Sequence, residues 1–411
     1  MNGRTSPRLL IVGLNYAPEL VGIGPYTTGL AEGLVQRGWT VDAVVGQPYY
    51  PQWARHPDAA RGWSHTREGG VGVTRCPHYI PADPSGPKRL VHHASFAASA
   101  FAPALRRARA TRPDFVLAVA PSLLSVPIAR LAARAAGAKL WVHLQDFEVD
   151  AAFATGLLKE GAKTAGAARR AERAILNSAD LLTTISEPMA QGLRRRTTGT
   201  DVAIVRNWAN HMESVADASG DAYRREWGLG ERRVALYSGN IGNKQGLEIV
   251  IEAAKRLRHR EDLVFVVCGN GPNRARLEAQ GAGLANLLFH DLQPAERVGE
   301  LLRLADIHLL PQLPGAADLV LPSKLTNMLA SSRPTVATAD AGTGLAVEVE
   351  GCGLIVAPQD VSAFAAAIER LCDDPALAKD LGQRAGRRAR ERWSRDAIVA
   401  EADALLRERI A

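Results

Sequence analysis

Short apolar runs alternate with Ala- and Arg-rich stretches of helical period along the chain. The runs predict buried strands near 9–14, 40–46, 114–119, 138–143, 180–185, 234–238, 263–268, 286–289, 306–310 and 334–337. Strands that alternate with helices at this spacing form parallel sheets covered by helices on both faces. The pattern therefore predicts an α/β fold with doubly wound sheets.

The chain repeats its opening unit halfway along. A strand, a glycine-containing loop and a helix follow one another twice, at 9–14, 15–24 and from Pro25, and at 234–238, 239–246 and 247–258. Two doubly wound domains are therefore predicted, 1–210 and 211–393, with a polar link near 207–223. A last helix is predicted from about 394 to 409, with Ser394 as its N-cap.

Composition indicates a globular protein without a membrane span. The chain has 411 residues, 46% hydrophobic and 23% charged, and this length suits two domains. The longest uncharged stretch of the first half, 115–129, is shorter than the roughly 20 apolar residues of a membrane helix, and no signal peptide is evident. The four cysteines form no CxxC pair, which disfavours zinc and disulfides and fits a cytoplasmic protein.

The net charge of +7 favours an anionic partner, such as a phosphate, a nucleic acid or an acidic lipid. Basic residues are interspersed with acidic ones and aromatic residues are few, so nucleic acid is the weakest of these. One segment, 88–109, joins basic to aromatic side chains: Lys88, Arg89, Phe96, Phe101, Arg106 and Arg107. That pattern is typical of a helix on an anionic membrane surface, and equally of a half-buried domain helix.

Two glycine loops follow the first strand of each half. The second contains Gly239, Gly242, Lys244 and Gly246. It is either a diphosphate cradle or a tight strand-to-helix turn. In the first loop, Gly22 and Gly24 open a helix toward a ligand, but Thr27 stands where a dinucleotide fingerprint needs its third glycine. NAD binding is therefore disfavoured.

Three further segments contain candidate site residues. His143, Asp146, Glu148 and Asp150 follow a strand, at the sheet edge where such folds bind ligands, although a polar loop explains them as well and nothing supports a metal. Lys324 lies on the first turn of a helix with Ser323 and Asn327. A cation there opposes the helix dipole, which favours an anionic ligand over an ordinary surface lysine. Tyr49 and Trp53 belong to an acceptor-binding loop or simply pack it.

Taken together, these loops resemble those of glycosyltransferase family 4, which has the GT-B fold. The motifs that carry the resemblance span almost the whole chain: 15–24, 48–53, 145–150, 237–246, 315–318 and the run Pro322-Ser323-Lys324-Leu325-Thr326-Asn327. They are most similar to those of the colanic-acid and O-antigen fucosyl or N-acetylfucosaminyl transferases of bacterial polysaccharide assembly.

The resemblance implies two Rossmann-like domains facing across a cleft. The C-terminal one would hold the nucleotide sugar and the N-terminal one the acceptor, with 394–411 packing back on the latter. It implies metal-independent transfer with retention at the anomeric carbon, and no cofactor beside the UDP- or GDP-linked donor. With the patterns above, it gives these expected site residues: His143, Lys244 and Lys324 for catalysis; Gly22, Gly24, Gly239, Asn240, Gly242, Gly269, Gly271, Asp318, Ser323 and Asn327 for the donor; Tyr49, Trp53, Asp146 and Glu148 for the acceptor.

The sequence departs from the family in two places. Asn240 stands where the phosphate loop usually has an arginine, and Leu319 and Asn327 stand where many members have glutamates. We expect Lys324 to supply the missing positive charge and Asn327 to bond a ribose hydroxyl.

The predicted function is transfer of a sugar of the fucose or N-acetylfucosamine type from a nucleotide-diphospho-sugar to a lipid-diphosphate-linked saccharide. The leaving diphosphate gains negative charge, which Lys244, Lys324 and loop N–H groups would stabilise most in the transition state. The enzyme is expected in the cytoplasm, peripheral on the inner face of the cell membrane through 88–109. The alternatives are a non-catalytic GT-B partner subunit, which would bind the donor without transfer, and a sugar-nucleotide epimerase.

Overall fold

The chain forms two compact units, each built around its own sheet. The structure is a computed structural model that describes residues 6–19, 22–84, 86–147, 163–209, 212–242, 245–313 and 323–410. Unit 1 comprises Met1–Asn207 and Ile398–Ala411, and unit 2 comprises Trp208–Ala397.

Unit 1 contains an eight-stranded sheet in the order β3-β4-β2-β1-β5-β6-β7-β8. Its strands are β1 (Arg8–Gly13), β2 (Thr40–Gly46), β3 (Ser64–Glu68), β4 (Val71–Cys76), β5 (Phe115–Ala120), β6 (Lys139–Leu144), β7 (Leu181–Thr184) and β8 (Asp201–Ile204). Neighbouring strands are parallel, except that β3 runs antiparallel to β4 at the edge. All six residues of β5 are buried, as expected of a central parallel strand covered on both faces.

The helices of unit 1 are Gly24–Gln36, Gly86–Thr111, Val126–Ala136, Lys163–Leu176 and Glu187–Arg196, with a 3₁₀ turn at Leu123–Ser125. The C-terminal helix Arg395–Ile410 belongs to unit 1 from Ile398 onward. We call Gly86–Thr111 the basic helix. Phe96, an aromatic residue of the predicted basic segment, is fully buried in the core of unit 1, as expected of a half-buried domain helix. The reason is its spacing, because Phe96, Ala100 and Ala104 form an i, i+4 stripe that packs inward.

Unit 2 contains a six-stranded, wholly parallel sheet in the order β11-β10-β9-β12-β13-β14. Its strands are β9 (Arg233–Ser238), β10 (Leu263–Cys268), β11 (Leu287–His290), β12 (Ile307–Leu310), β13 (Thr335–Thr338) and β14 (Gly353–Val356). Its helices are Met212–Ala216, Asp221–Glu226, Glu248–Arg256, Arg274–Gln280, Val298–Leu304, Ser323–Ala330, Gly344–Val349, Val361–Asp373 and Pro375–Trp393, with a 3₁₀ turn at Ala295–Arg297.

The segment predicted as a polar link between domains is partly helical. Met212–Ala216 and Asp221–Glu226 lie in it, and they pack into unit 2 through the buried Val215 and Tyr223. These helices are too short to show a sustained apolar period, so the sequence pattern missed them. Among the described helices, none combines the length and the apolar composition needed to cross a bilayer.

The C-terminal helix begins where the sequence predicted it. The Ser394 hydroxyl accepts a hydrogen bond from the Ala397 N–H at 3.2 Å, which confirms the predicted N-cap. Further along, the Trp39 indole donates to Asp403 at 2.6 Å within unit 1. Gly33 allows close packing, because a Cβ there would lie 2.8 Å from Val399 Cγ1.

The strand order of each sheet reverses beside its first strand. In unit 1, β1 lies between β2 and β5, and in unit 2, β9 lies between β10 and β12. Chains that leave the carboxyl ends of such neighbouring strands diverge and open a crevice, which is where ligands bind in these folds. The loops after β1 and β9 are therefore the places to look for a site.

We expect Gly33→Ala to destabilise unit 1, because the new methyl group overlaps the stiff Val399 side chain. Overpacking of this kind costs about 1–3 kcal/mol, against a gain of up to about 1 kcal/mol from replacing a helical glycine. Urea denaturation would show a lower midpoint. Adding Val399→Ala should restore part of the loss, whereas a Gly33→Ala protein more stable than the wild type would contradict the packing described.

Candidate active site

The glycine loop after β9 packs against a second loop by backbone contacts. The Gly239 N–H donates to Cys268 O, and the Ile241 N–H donates to Asn270 O, each at 2.9 Å. A Cβ on Gly269 would lie 1.9 Å from Gly239 O, so no side chain fits there. The two loops therefore hold each other at the carboxyl edge of the sheet of unit 2.

Lys324 brings a positive charge to this loop. Its Nζ donates to the Tyr237 hydroxyl at 2.8 Å and lies 4.3 Å from the centre of that ring. The same Nζ is 3.0 Å from the position that a Cβ on Gly239 would occupy. The Tyr237 hydroxyl in turn donates to Asn240 O at 2.5 Å. Lysine, tyrosine and loop backbone thus form one hydrogen-bonded chain.

The environment of Lys324 suits an anionic ligand. Burial lowers the pKa of this lysine to about 8. Across the described ranges no carboxylate forms a salt bridge with it, and burial alone accounts for the lowered pKa. A cation withdrawn from water without a counter-charge is costly, and an arriving anion removes that cost.

Arg274 connects the loops after β10 and β11. Its Nη1 donates to Gly269 O at 2.8 Å, to Asp291 Oδ1 at 2.6 Å and to His290 O at 3.1 Å. One guanidinium thus joins the loop after β10 to the loop after β11. The loop after β10 contains Gly269 and Gly271, which the family resemblance implies as donor-binding residues.

His143 is buried at the end of β6 in a chain of polar side chains. Its Nδ1 lies 2.8 Å from Thr183 Oγ1, and its Nε2 lies 2.9 Å from Gln145 Nε2. Gln145 is bonded twice to Asn207, donating from Nε2 at 2.9 Å and accepting at Oε1 at 2.7 Å. An amide nitrogen only donates, so His143 accepts at Nε2 and carries its proton on Nδ1.

Burial lowers the pKa of His143 to about 4, so the ring is neutral near pH 7. Both ring nitrogens already have partners. This arrangement orients Gln145 and leaves no ring nitrogen available for nucleophilic attack.

Glu19 ties together the loops after β1 and β2. Its Oε1 accepts from the N–H groups of Tyr49 and Tyr50, each at 3.1 Å, and its Oε2 accepts from Asn15 Nδ2 at 2.9 Å. The side chain is buried, and burial raises its pKa. Gly22, with φ +74°, faces the Tyr50 ring, and Gly24 begins the following helix.

The loop of Tyr49 and Trp53 packs on histidines of the basic helix and its neighbourhood. The Tyr49 ring is buried, 5.2 Å from Trp53 and 4.6 Å from His92 between ring centres. Trp53 is half-buried with φ +51°, and Arg89 lies 5.5 Å from its ring centre. Tyr49 thus anchors the loop in the core of unit 1, while Trp53 remains partly accessible to solvent.

The structure groups the expected site residues by unit. In unit 2 it brings together Gly239, Asn240, Gly242, Gly269, Gly271 and Lys324, with Asn327 three residues after Lys324. In unit 1 it brings Gly22 and Gly24 near Tyr49 and Trp53 through Glu19, and places His143 at the end of β6 with Asp146 exposed beyond it. Lys244, Asp318, Glu148 and the Ser323 side chain lie outside the described residues.

Three organising residues were not singled out from the sequence: Tyr237, Arg274 and Glu19. Glu19 lies inside a motif that carries the family resemblance, so its position was the available signal. Tyr237 likewise opens the motif 237–246, whereas Arg274 gave no signal, because a helical arginine is unremarkable until its partners are known.

Two family profiles match the chain. "Glycosyl transferase 4-like domain" matches residues 21–208, and "Glycosyl transferases group 1" matches residues 220–388. The putative colanic acid biosynthesis glycosyl transferase WcaI of Escherichia coli K12 is 42% identical over 375 residues, which cover 88% of this chain and 91% of that protein. The alpha-D-kanosaminyltransferase of Streptomyces kanamyceticus is 29% identical over 48% of this chain and 52% of its own.

Solved structures share the fold at low sequence identity. A sucrose-phosphate synthase from Thermosynechococcus elongatus superposes with a TM-score of 0.70 at 18% identity, over 98% of both chains. Anabaena HepE in complex with UDP superposes with a TM-score of 0.66 at 14% identity, over 98% of this chain and 100% of its own.

We expect the buried neutral His143 to make the protein sensitive to acid. Between pH 6.5 and about pH 4, an unfolded histidine binds a proton that folded His143 does not bind. The free energy of unfolding therefore decreases as the pH is lowered through this range. His143 alone should contribute a loss of about 2 kcal/mol between pH 7 and pH 5. Urea titrations of the wild type and His143→Gln would measure it, and parallel pH curves for the two would rule it out.

Proposed function

The chain belongs to the group 1 glycosyl transferases, with the GT-B fold, and from this premise we propose that it moves a sugar from a nucleotide-diphospho-sugar to a lipid-diphosphate-linked saccharide in surface polysaccharide assembly. The family resemblance, the fold class and the enzyme class predicted from the sequence are confirmed. The name of the E. coli relative supports the polysaccharide product, and the HepE structures with UDP and with UDP-glucose support a nucleotide-linked donor.

The observation that carries the proposal is the position of Lys324 beside the Gly239 loop. A half-buried ammonium group, a backbone with no Cβ in its way and the lack of a carboxylate partner within the described ranges suit a diphosphate. Asn240 replaces the usual loop arginine, and Lys324 supplies the charge from a helix instead. The proposal therefore accounts for the main departure of this sequence from its family.

In the proposed reaction the bond between the anomeric carbon and the diphosphate breaks, and a bond to an acceptor hydroxyl forms on the same face of the sugar. The hydroxyl proton leaves with the departing diphosphate oxygen. Lys324, Lys244 and loop N–H groups stabilise the charge that grows on that oxygen, without a metal ion. His143 acts by orienting Gln145, and Asn327 bonds the ribose.

We assign the acceptor to unit 1 and the enzyme to the inner face of the cell membrane. Trp53 and Asp146, the more accessible residues at the carboxyl edge of that sheet, would contact the saccharide. On the basic helix, Leu90, Val91 and Phe101 are 59%, 54% and 42% exposed. Basic residues flank these apolar side chains on the exposed surface: Lys88, Arg89, Arg106 and Arg109. Arg107 was predicted to belong to this basic surface, but it is half-buried, with its Nη1 atom 3.7 Å from Asp42 Oδ1. We therefore do not assign Arg107 to the membrane-binding surface.

We expect one nucleotide sugar from a UDP, GDP and dTDP panel to raise the melting temperature in the presence of EDTA, because a ligand that binds only the folded state stabilises it. Lys324→Met should weaken this binding by about tenfold to a hundredfold, the value of a charge-assisted hydrogen bond. Lys379→Met removes an exposed lysine of unit 2 and should bind like the wild type. Unchanged binding and transfer by Lys324→Met would refute the phosphate site.

We expect the protein to sediment with vesicles that contain anionic lipid and not with neutral ones. Changing Lys88, Arg89, Arg106 and Arg109 to Gln should release it, since each basic residue near such a surface contributes about 1 kcal/mol. Changing the exposed Arg258, Arg384, Arg387 and Arg390 of unit 2 removes the same charge and should leave sedimentation unchanged. If both quadruple variants lose binding equally, net charge rather than the basic helix is responsible.

A further inference from the structure

One hydroxyl group connects the cation of the donor site to the backbone of the glycine loop. We propose that Tyr237 is a positioning residue that holds the ammonium group of Lys324 where the diphosphate of the donor binds. The inference rests on the proposed function, because it concerns how the same phosphate site is assembled.

The direction of the two hydrogen bonds supports this role. The Tyr237 hydroxyl has one proton, which it donates to Asn240 O at 2.5 Å. Its lone pairs are then free to accept from Lys324 Nζ, which lies 2.8 Å away. The ammonium group donates to the tyrosine oxygen, and the tyrosine hydroxyl donates to the backbone carbonyl, so one hydroxyl links the lysine to the loop. The hydroxyl thus fixes the lysine and the loop relative to one another.

The tyrosine is itself packed in the core of unit 2. Its side chain is fully buried and belongs to β9, the strand from which the glycine loop departs. Lys324, in contrast, carries its charge on a flexible four-carbon stem. The contact of Nζ with the ring, at 4.3 Å from its centre, adds a cation–π attraction that acts together with the hydrogen bond. Lys324 is therefore ordered before any ligand arrives, which is the condition for effective electrostatic stabilisation.

The position of the ammonium group explains why this loop needs such an anchor. Nζ lies over Gly239, at 3.0 Å from the site of an absent Cβ. An arginine of the loop would be attached to it through its own backbone, but Lys324 comes from a helix after β12 and has no covalent attachment to the loop nearby. Tyr237 attaches the lysine to the loop by hydrogen bonds instead.

The pKa of Lys324 gives a second readout. Burial lowers it to about 8, so near this pH a bound diphosphate favours the charged form, and binding takes up a proton. Tyr237 accepts a hydrogen bond from the charged form and so favours it as well. Without the hydroxyl, Lys324 should lose its proton at a lower pH.

The test is calorimetric titration of the full chain with UDP, GDP and inorganic pyrophosphate, for Tyr237→Phe, Lys324→Met and the double variant. We expect Tyr237→Phe to weaken binding by about tenfold. We expect the double variant to bind no more weakly than Lys324→Met alone, because Tyr237 acts through the lysine. The loss of affinity at alkaline pH should begin at a lower pH in Tyr237→Phe than in the wild type.

Ser331→Ala is the matched control. Ser331 follows the helix that carries Lys324, and its buried hydroxyl also makes two hydrogen bonds, to Met328 O at 2.6 Å and with His308 Nε2 at 2.9 Å. We expect this variant to lower the melting temperature while it binds all three probes like the wild type.

The outcomes separate the inference from the proposed function. If Tyr237→Phe binds like Ser331→Ala while Lys324→Met is weakened, the phosphate site stands and the positioning role is wrong. If the losses of the two single variants add in the double variant, Tyr237 does not act through Lys324 and the inference is again wrong. If Lys324→Met binds every probe like the wild type, the phosphate site itself fails, and the role of Tyr237 fails with it.

Discussion

A half-buried ammonium group next to a backbone loop is the constraint on which the candidate donor site depends. Withdrawal of Lys324 from water lowers its pKa, and among the described residues its hydrogen-bond partner is a tyrosine hydroxyl rather than a carboxylate. The charge is thus only partly stabilised until an anion arrives. Sheet order makes this arrangement possible, because β9 and β12 are neighbours although the glycine loop and the lysine are far apart in sequence. The topological switch beside β9 thus brings a helix-borne cation to the loop.

The fold was largely predictable because most strands are central and buried. Strands such as β5 and β10 are continuous apolar runs, and such runs stand out in a sequence. The strands that were missed are edge or near-edge strands. β3 reads Ser-His-Thr-Arg-Glu, with every residue at least partly exposed, so hydrophobicity gives no sign of it. Phe96 illustrates another limit, since an aromatic residue between basic ones fits both a membrane-surface helix and a half-buried domain helix, and only the inward packing of its stripe on the basic helix distinguishes the two.

The candidate site was predictable only where chemistry is local in the sequence. Glycines that follow a strand, and a lysine on the first turn of a helix, can be recognised as candidate site residues from the local sequence alone. Thr183 and Asn207 do not, because their roles come from pairing with His143 and Gln145 across 40 and 62 positions. Tyr237 meets Lys324 across 87 positions. Such partners are fixed by strand order, which a single sequence does not reveal.

Each unit holds a loop with an ionisable side chain, and the two side chains are of opposite charge type. Each must hold a loop at the carboxyl edge of its sheet, and each does so with an ionisable side chain withdrawn from water: Glu19 in unit 1 and Lys324 in unit 2. The difference follows from the backbone groups that each loop presents. Tyr49 and Tyr50 present N–H groups, which require an acceptor, so a carboxylate serves directly. Asn240 presents a carbonyl, which lysine reaches through the hydroxyl of Tyr237 while its charge remains available to a ligand.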